Sequence, residues 1–292
     1  MHTYCDANAT APDLWNSHKE ELHTQLYNNT LSVLEGKRSL KDPNTLKNAY
    51  KDLRVEGIRK DEILHHLEQV PTRYFSHTGK EEIALHIDMV HRFDKNGRES
   101  PNPIINWRND LRRSLTVVDI VTRDRGSLFE KITGAFSIAE LNILGARAVT
   151  RKDGLAIDVF YVESGKGGVV DNTKTRELCE SSINSFLLGE SAPEALISEK
   201  RKKTDRNRLF SNEDKLGEKI PPRVDVYRDV SLARTIVEVR AADRIGLLHL
   251  ISQTISNCGF SIQFARIATE QGVATDIFNI EPDNTKKSFT PN

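Results

Sequence analysis

The sequence predicts an α+β fold in which a helical N-terminal segment precedes two copies of one strand–helix–strand–strand unit, the second copy truncated. Residues 114–162 and 234–280 carry matching patterns, and their Asp-Arg loops at Asp124 and Asp243 lie 119 positions apart. Before each loop, Val, Ile and Thr alternate with polar residues, which is typical of a half-buried strand. After each loop, apolar residues recur at three- and four-residue spacing, which indicates a helix. An internal repeat of this kind constrains the fold class before any other feature.

The two copies correspond residue by residue. Ala146 corresponds to Ala265 and, after one residue is dropped in the hairpin, Asp158 corresponds to Asp276. Short Asp-Gly and Gln-Gly turns separate the second and third strands of the copies, and such turns are typical of hairpins. A helical run over residues 172–188 follows the first copy. This order predicts ferredoxin-like βαββαβ modules.

Several motifs resemble those of one known family. They are residues 118–125 (VDIVTRDR), 141–147 (LNILGAR), 153–160 (DGLAIDVF), 221–224 (PPRV) and 235–240 (TIVEVR), with 71–75 (PTRYF) and 81–86 (EEIALH) upstream. Each module resembles an ACT domain, the small amino-acid-sensing module of metabolic enzymes. The tandem pair with its flanks resembles the C-terminal region of the bifunctional uridylyltransferase/uridylyl-removing enzymes that act on the nitrogen regulator PII.

The resemblance and the residue pattern together predict four regions. Residues 1–93 form a helical segment, which by resemblance is the tail of a phosphohydrolase-type domain. Residues 94–113 are rich in turn-forming residues and are predicted as a linker. The first ACT-like module covers 114–230 and carries a long charged insertion at 190–219, predicted as a solvated connector. The second module, 231–292, is incomplete.

The fourth strand is predicted differently for the two modules. By resemblance, residues 221–227 supply the fourth strand of the first module. Residues 281–292 are too few and too polar for a second helix and a fourth strand in the second module. We therefore expect an open sheet edge there. A gene fragment and a separately made regulator both remain open as interpretations.

Composition excludes several classes of function. Basic and acidic residues both number 42, so no charge excess points to nucleic acid or to a membrane surface. No apolar run is long enough to span a bilayer. Three scattered cysteines have no metal-ligand spacing and fit a reducing compartment. We expect a cytoplasmic protein with neither nucleic-acid nor membrane partners.

No catalytic or metal-binding residues are predicted in this chain. Eight of the nine histidines precede residue 94, but their spacings match no ligand motif. The His-Asp dipeptide of the resembled phosphohydrolase domain does not occur, and Gly167-Gly168 is not followed by paired aspartates. We therefore expect no cofactor here. The resemblance implies Mg²⁺ in the catalytic domains that this sequence lacks.

The two Asp-Arg loops are candidate amino-acid-binding sites. A loop that opens a helix presents backbone N–H groups to an anion such as a ligand carboxylate. Its aspartate would receive a ligand ammonium or stabilise its own helix. By resemblance to glutamine-sensing ACT domains, each site is completed by a neighbouring ACT unit. The candidate ligand-binding residues are Asp124, Arg125, Gly126, Ser127 and Leu128 of the first loop, Asp243, Arg244, Ile245, Gly246 and Leu247 of the second, and Asn142 and Ser261 at the second strands.

Three functions follow from these observations. The first is a regulatory region that senses an amino acid, glutamine by resemblance, and reports to a uridylyltransferase acting on PII. The second is a part of a full uridylyltransferase/uridylyl-removing enzyme whose catalysis takes place outside this chain. The third is a non-catalytic interaction module whose ACT units pair within or between chains. The expected partners are a small amino acid, PII protein and a neighbouring ACT unit.

Overall fold

A computed structural model describes residues 50–97, 102–208, 221–229, 234–270 and 272–283. Within these ranges the fold is α+β, as predicted, with seven helices and one eight-stranded antiparallel sheet. The predicted helical segment falls partly outside the described residues, because its first 49 positions are not among them. The helices are α1 (Lys60–Gln69), α2 (Thr72–His77), α3 (Lys80–Lys95), α4 (Leu128–Ile138), α5 (Thr173–Leu188), α6 (Pro193–Arg208) and α7 (Leu247–Asn257). The strands are β1 (Ile104–Asp110), β2 (Leu115–Arg123), β3 (Leu141–Thr150), β4 (Leu155–Ser164), β5 (Arg223–Asp229), β6 (Arg234–Ala242), β7 (Phe260–Glu270) and β8 (Val273–Pro282).

The sheet consists of two equivalent halves joined at their second strands. Its strand order is β1-β2-β4-β3-β7-β8-β6-β5, so β3 of the first repeat pairs with β7 of the second. Ala146 lies directly opposite Ala265 in this antiparallel pair. The two halves are therefore related by an approximate two-fold axis that passes between these alanines.

The structure corrects the predicted fourth strands. Residues 223–229 do not join the first module; they form β5, which pairs with β6 and covers the edge that was expected to stay open. The first module is completed instead by β1, which lies inside the predicted linker and pairs with β2. In both halves four residues separate the edge strand from the next strand, and the pair Asp110↔Leu115 matches Asp229↔Arg234. Neighbouring antiparallel strands need only such a short connection, which makes this pairing local.

The helices form layers on both faces of the sheet. On one face, α4, α5 and α7 cover a core that runs through both halves and contains Phe136, Phe160, Phe186 and Phe278. On the other face, α1 to α3 pack against β2 and β4 through Val121, Leu155 and Ile157. The first half of the sheet is thus covered on both sides.

The second module lacks a described counterpart of α5. In the first module the Trp107 indole of β1 donates to Glu180 of α5 over a distance of 2.7 Å. Val226 occupies the equivalent position on β5 and is 64% exposed, since no described helix covers it. Among the described residues, the two modules therefore differ in the helix that covers the edge strand.

The charged insertion is not a solvated connector throughout. Residues Pro193–Arg208 form α6, which begins with the proline that suits a first helical position. The Lys200 ammonium donates to the Ile138 carbonyl at the end of α4 (2.5 Å). Arg201 Nε donates to the Ile245 carbonyl in the second Asp-Arg loop (2.7 Å). Helix α6 therefore packs across both modules, which its weakly amphipathic sequence did not indicate.

None of the described helices combines the length and the apolar character that crossing a membrane requires.

Candidate ligand-binding site between the two modules

The two Asp-Arg loops have the same backbone structure. Asp124 N–H donates to the Gly154 carbonyl (2.9 Å), and Asp243 N–H donates to the Gly272 carbonyl (2.8 Å), so each loop is tied to the hairpin of its own module. The residue before each helix is left-handed, with φ 62° at Ser127 and φ 74° at Gly246. A left-handed serine costs free energy that a glycine does not. The first loop therefore holds Ser127 in a strained conformation at the start of α4.

A cavity of about 280 Å³ lies between the first loop and the second module. The first module contributes the N-terminal turn of α4 and the adjoining ends of β3 and β4. The second contributes one face of α7, the start of β7 and the end of β8. The predicted residues that line this cavity are Asp124, Arg125, Ser127, Leu128 and Ser261. The structure thus brings these five residues together from both repeats, 133 or more positions apart in the case of Ser261.

Acidic side chains outnumber basic ones in the lining of this cavity. Asp124 accepts a hydrogen bond from Thr150 Oγ1 (2.9 Å). Burial raises the pKa of Asp124, and the charge of Asp283 raises it further. Asp158 is only 3% exposed, and burial together with the neighbouring Asp124 raises its pKa well above the ordinary value. The floor of the cavity is therefore a pair of interacting carboxyl groups, of which the deeper one favours its protonated form.

The basic side chains at the cavity are already engaged. Arg125 Nη1 donates to the Leu187 carbonyl at the end of α5 (3.0 Å). Arg73, from α2, donates to Glu281 (2.6 Å) and to the side-chain oxygen of Gln263. A ligand carboxylate would therefore depend on the N-terminus of α4 for much of its stabilisation.

The second loop has a different environment. The Ile197 side chain and Arg201 of α6 lie against Gly246, where an added Cβ would be 2.5 Å from Ile197 Cγ2. Asn142, the counterpart of Ser261, is exposed and donates to Glu163 (3.4 Å). Helix α6 thus covers the backbone of the loop that contains Arg244, Ile245, Gly246 and Leu247, while Asp243 itself is exposed. The two loops therefore have the same backbone structure, but only the first loop lines the cavity.

The acidic pair recurs beneath the second loop. Asp276, the counterpart of Asp158, is 1% exposed. Burial, with a further contribution from Asp243, raises its pKa to about 7. The same two carboxyl positions are therefore coupled in both repeats, which indicates that the pair belongs to the module architecture.

The cavity contains several polar residues that the sequence did not predict, and one predicted residue of the first loop does not line it. Gly126 belongs to the first loop but is exposed and lies outside the lining. The missed polar residues were contributed by elements whose proximity the sequence does not encode: Arg73, Glu130, Thr150, Asp158, Ser252, Ser256, Gln263, Glu281 and Asp283. The repeat itself contained one usable signal, since Asp158 and Asp276 are acidic residues at matched positions of the two copies.

A buried polar network lies on the opposite face of the sheet, beside a second cavity of about 250 Å³. His86 joins the Tyr74 hydroxyl (2.8 Å) to Asp119 (3.3 Å). The Arg108 guanidinium donates twice to the same carboxylate, with both distances 2.8 Å. Burial would raise the pKa of Asp119, but hydrogen bonds from His86 and Arg108 outweigh it and lower the pKa to about 2. This network fastens α3 to the first module.

Fold and cavity define an α+β protein with two ferredoxin-like repeats and a small-molecule-sized cavity between them. No protein-family model matches the chain. The chain is 29% identical over 286 residues to the bifunctional uridylyltransferase/uridylyl-removing enzyme of Azospirillum brasilense, covering 96% of this chain and 29% of that enzyme. It is 26% identical over 282 residues to the enzyme of the same name in Gluconobacter oxydans, covering 95% and 29%. It is 28% identical over 295 residues to that of Stutzerimonas stutzeri, covering 97% and 31%.

These comparisons confirm the predicted resemblance over nearly the whole chain. They also show that the chain spans less than a third of the length of these relatives, 29–31%. The chain is therefore similar to one part of the uridylyltransferase/uridylyl-removing enzymes.

Proposed function

We propose that this chain is the amino-acid-sensing regulatory region of a uridylyltransferase/uridylyl-removing enzyme, with glutamine as the ligand of the cavity between the modules. One observation carries the proposal. The cavity combines the first Asp-Arg loop and the N-terminus of α4 with β7 and α7 of the other repeat. A ligand there would contact both modules at once, so its binding would change how strongly they are held together.

The lining fits a zwitterionic amino acid. The N-terminus of α4 suits the ligand carboxylate, and the acidic group of Asp124 and Asp283 suits the ligand ammonium. The volume of about 280 Å³ is near the lower end of small-molecule sites and matches an amino acid better than a nucleotide.

The buried carboxyl pair supports glutamine over glutamate. Asp158 favours its protonated form, and a protonated carboxyl can both donate and accept a hydrogen bond. A side-chain amide also donates and accepts, so the two groups are complementary. A glutamate side chain would add a negative charge close to that of Asp124, which is unfavourable in a buried site.

Calorimetric titration of the purified chain with glutamine tests this proposal. Asp124→Asn removes the negative charge at the ammonium position while preserving shape, and we expect a Kd about 10- to 100-fold higher, as for the loss of a charged hydrogen bond. Asp243→Asn is the matched control, because it alters the equivalent aspartate of the covered loop. No heat with the unaltered chain, or equal losses in both variants, would contradict the proposed site.

A second proposal concerns where catalysis takes place. Since the chain corresponds to only 29–31% of the length of its relatives, nucleotidyl transfer and uridylyl removal are assigned to parts outside it, with Mg²⁺ acting there and PII as the substrate protein. An assay with PII and UTP should detect no turnover by this chain alone. Turnover would contradict this assignment without affecting the glutamine titration.

The interaction-module alternative is distinguished by the same titration. The β3–β7 pairing joins the two modules within one chain, which supports intramolecular pairing of the ACT-like units. A chain that folds and shows neither heat nor thermal stabilisation with amino acids would favour a purely structural role for this pairing.

A further inference from the structure

A group of three potential metal ligands lies where α4, α6 and α7 meet. Ligand atoms of Glu130, Glu194 and His249 all lie within 4.8 Å of one another. Glu130 and His249 are buried, at 7% and 4% exposure, whereas the Glu194 side chain is 49% exposed. The group is therefore a partly buried site with one side open to solvent.

The repeat explains why two of these residues meet. Glu130 and His249 lie 119 positions apart and are equivalent in α4 and α7. Because the approximate two-fold axis passes between Ala146 and Ala265, equivalent positions on the two helices that pack above it come together. Helix α6 then brings Glu194 to the same point. No spacing motif could reveal such a site, which is why the sequence predicted no metal ligand.

The histidine is oriented for coordination. His249 Nδ1 lies 2.9 Å from the Glu130 backbone carbonyl, which can only accept, so Nδ1 carries the proton. A ring with a single proton, on Nδ1, has a lone pair on Nε2. This atom is buried without a hydrogen-bond partner, and the nearest Glu194 oxygen, at 3.7 Å, is also an acceptor. A metal-binding histidine usually donates a hydrogen bond from one ring nitrogen to a protein oxygen, while its other ring nitrogen binds the metal.

The two carboxylates are held together by one further side chain. Gln253 Nε2 donates to Glu194 Oε1 (2.7 Å) and to Glu130 Oε1 (3.1 Å). This amide neutralises neither charge, and it makes no bond to His249 Nε2. Rotation of the amide by half a turn would present its oxygen as a fourth ligand to the same point.

A second group of three potential metal ligands among the described residues has different hydrogen-bond partners and a different charge environment. Glu82, His86 and Asp119 also lie close together. There, Arg108 and Arg147 supply positive charge to the carboxylates, and both His86 nitrogens have partners. The carboxylates of that group are therefore balanced by positive charge. In the group at His249, by contrast, Nε2 and the Glu194 oxygen are both hydrogen-bond acceptors and face each other.

We propose that Glu130, Glu194 and His249 bind a divalent transition-metal ion of the Zn²⁺ type and that the ion fastens α6 to both modules. One imidazole and two carboxylates suit Zn²⁺, and the exposed side leaves room for water as a remaining ligand. Since α6 also covers the second Asp-Arg loop through Arg201, metal binding would stabilise that covered state.

The test is a titration of the EDTA-treated chain with ZnCl₂, with MgCl₂ as the comparison, and with Co²⁺ as a spectroscopic substitute. We expect a Zn²⁺ site that also raises the Tm, and visible Co²⁺ absorption at the same stoichiometry. Glu194→Gln changes a half-exposed residue and should fold normally, yet weaken binding at least tenfold. His249→Asn should abolish the Co²⁺ spectrum.

The control is His65→Ala, which removes an exposed histidine from α1 and should leave binding unchanged. Equal Zn²⁺ affinity and equal Tm increase in the unaltered chain and in folded Glu194→Gln would overturn the proposal. So would a Co²⁺ spectrum that persists in His249→Asn. No amino-acid ligand enters the experiment, so its outcome is separate from that of the glutamine titration.

Discussion

Ala146 of β3 lies directly opposite Ala265 of β7, and each alanine is the counterpart of the other in the internal repeat. Both side chains are buried, at 1% and 0% exposure, beneath the helix layer. This pairing relates the two modules by an approximate two-fold axis. It places the first Asp-Arg loop beside the second module, and it brings Glu130 and His249 together.

Ala265→Leu should destabilise the protein. The substitution adds three carbon atoms to a filled position on the axis, and overpacking of a core typically lowers the free energy of unfolding by about 1–3 kcal/mol. Urea unfolding monitored by circular dichroism would measure the change. An unaltered midpoint would mean that the junction between the modules is not closely packed.

Asp119→Ala should cost about 2–4 kcal/mol of unfolding free energy at pH 7, because it leaves His86 and Arg108 without their shared carboxylate. Glu238→Ala is the matched control: Glu238 is the repeat counterpart of Asp119, and among the described residues it accepts a hydrogen bond from the Tyr227 hydroxyl (3.1 Å). The control should cost less than about 1 kcal/mol. Equal losses of unfolding free energy in the two variants would show that the buried network around Asp119 does not contribute additional stability.

Acid should weaken the contribution of Asp119. Its pKa is about 2 in the folded protein and about 3.9 in an unfolded chain. The unfolded state therefore binds more protons between these values, so the stabilisation is complete above about pH 4 and is lost as the pH falls towards 2. Urea midpoints of the unaltered chain and Asp119→Ala, measured from pH 7 downwards, should converge. A constant difference would contradict the lowered pKa.

Asp276→Asn should have the opposite pH dependence. The folded pKa of about 7 exceeds the unfolded value of about 3.9, so the folded state binds more protons between them, and stability falls as pH rises through this range. Asparagine removes that decline. The unfolding free energy of Asp276→Asn, relative to that of the unaltered chain, should therefore be about 1–4 kcal/mol higher at pH 8 than at pH 4. Unfolding midpoints at the two pH values would measure the difference. Parallel profiles for both proteins would contradict the raised pKa.

Gly134→Ala should displace α6. Alanine normally favours a helix interior over glycine by about 1 kcal/mol. Here its Cβ would lie 2.7 Å from Pro193 Cβ and 3.3 Å from His249 Nδ1. We expect faster trypsin cleavage at the basic residues of α6, and Ser137→Ala on the same helix as a control without this effect. Unchanged cleavage would mean that α6 does not depend on this contact.

The internal repeat could be predicted because the sequence features that define it are local. Alternating strands, helix periodicity and short glycine turns are all encoded within a few residues, so the order of strands and helices from 114 to 162 and from 234 to 280 follows from the sequence. The first loop and Ser261 were found by the same pattern. Gly126 was included with them because the pattern cannot tell which loop residues face a cavity.

The edge strands were misassigned because their own residues do not show which strand each of them pairs with. Residues 104–110 and 223–229 are short, mixed sequences that could join either module, and the resemblance favoured the wrong partner for the second of them. In the structure each pairs along its whole length with the strand that follows it, β1 with β2 and β5 with β6. Helix α6 was missed for a similar reason, since a highly charged helix shows little periodicity until its contacts are known.

The sequence by itself determined the α+β class, the two repeats, the loops at Asp124 and Asp243, and the resemblance to uridylyltransferase/uridylyl-removing enzymes. Only the tertiary structure decided that the first loop opens into a cavity while α6 covers the second, and that Glu130, Glu194 and His249 converge. The physical reason is that the two modules have closely similar local sequence patterns. The modules differ in the distant segment that packs against each of them. That packing depends on long-range contacts, which a local sequence pattern does not predict.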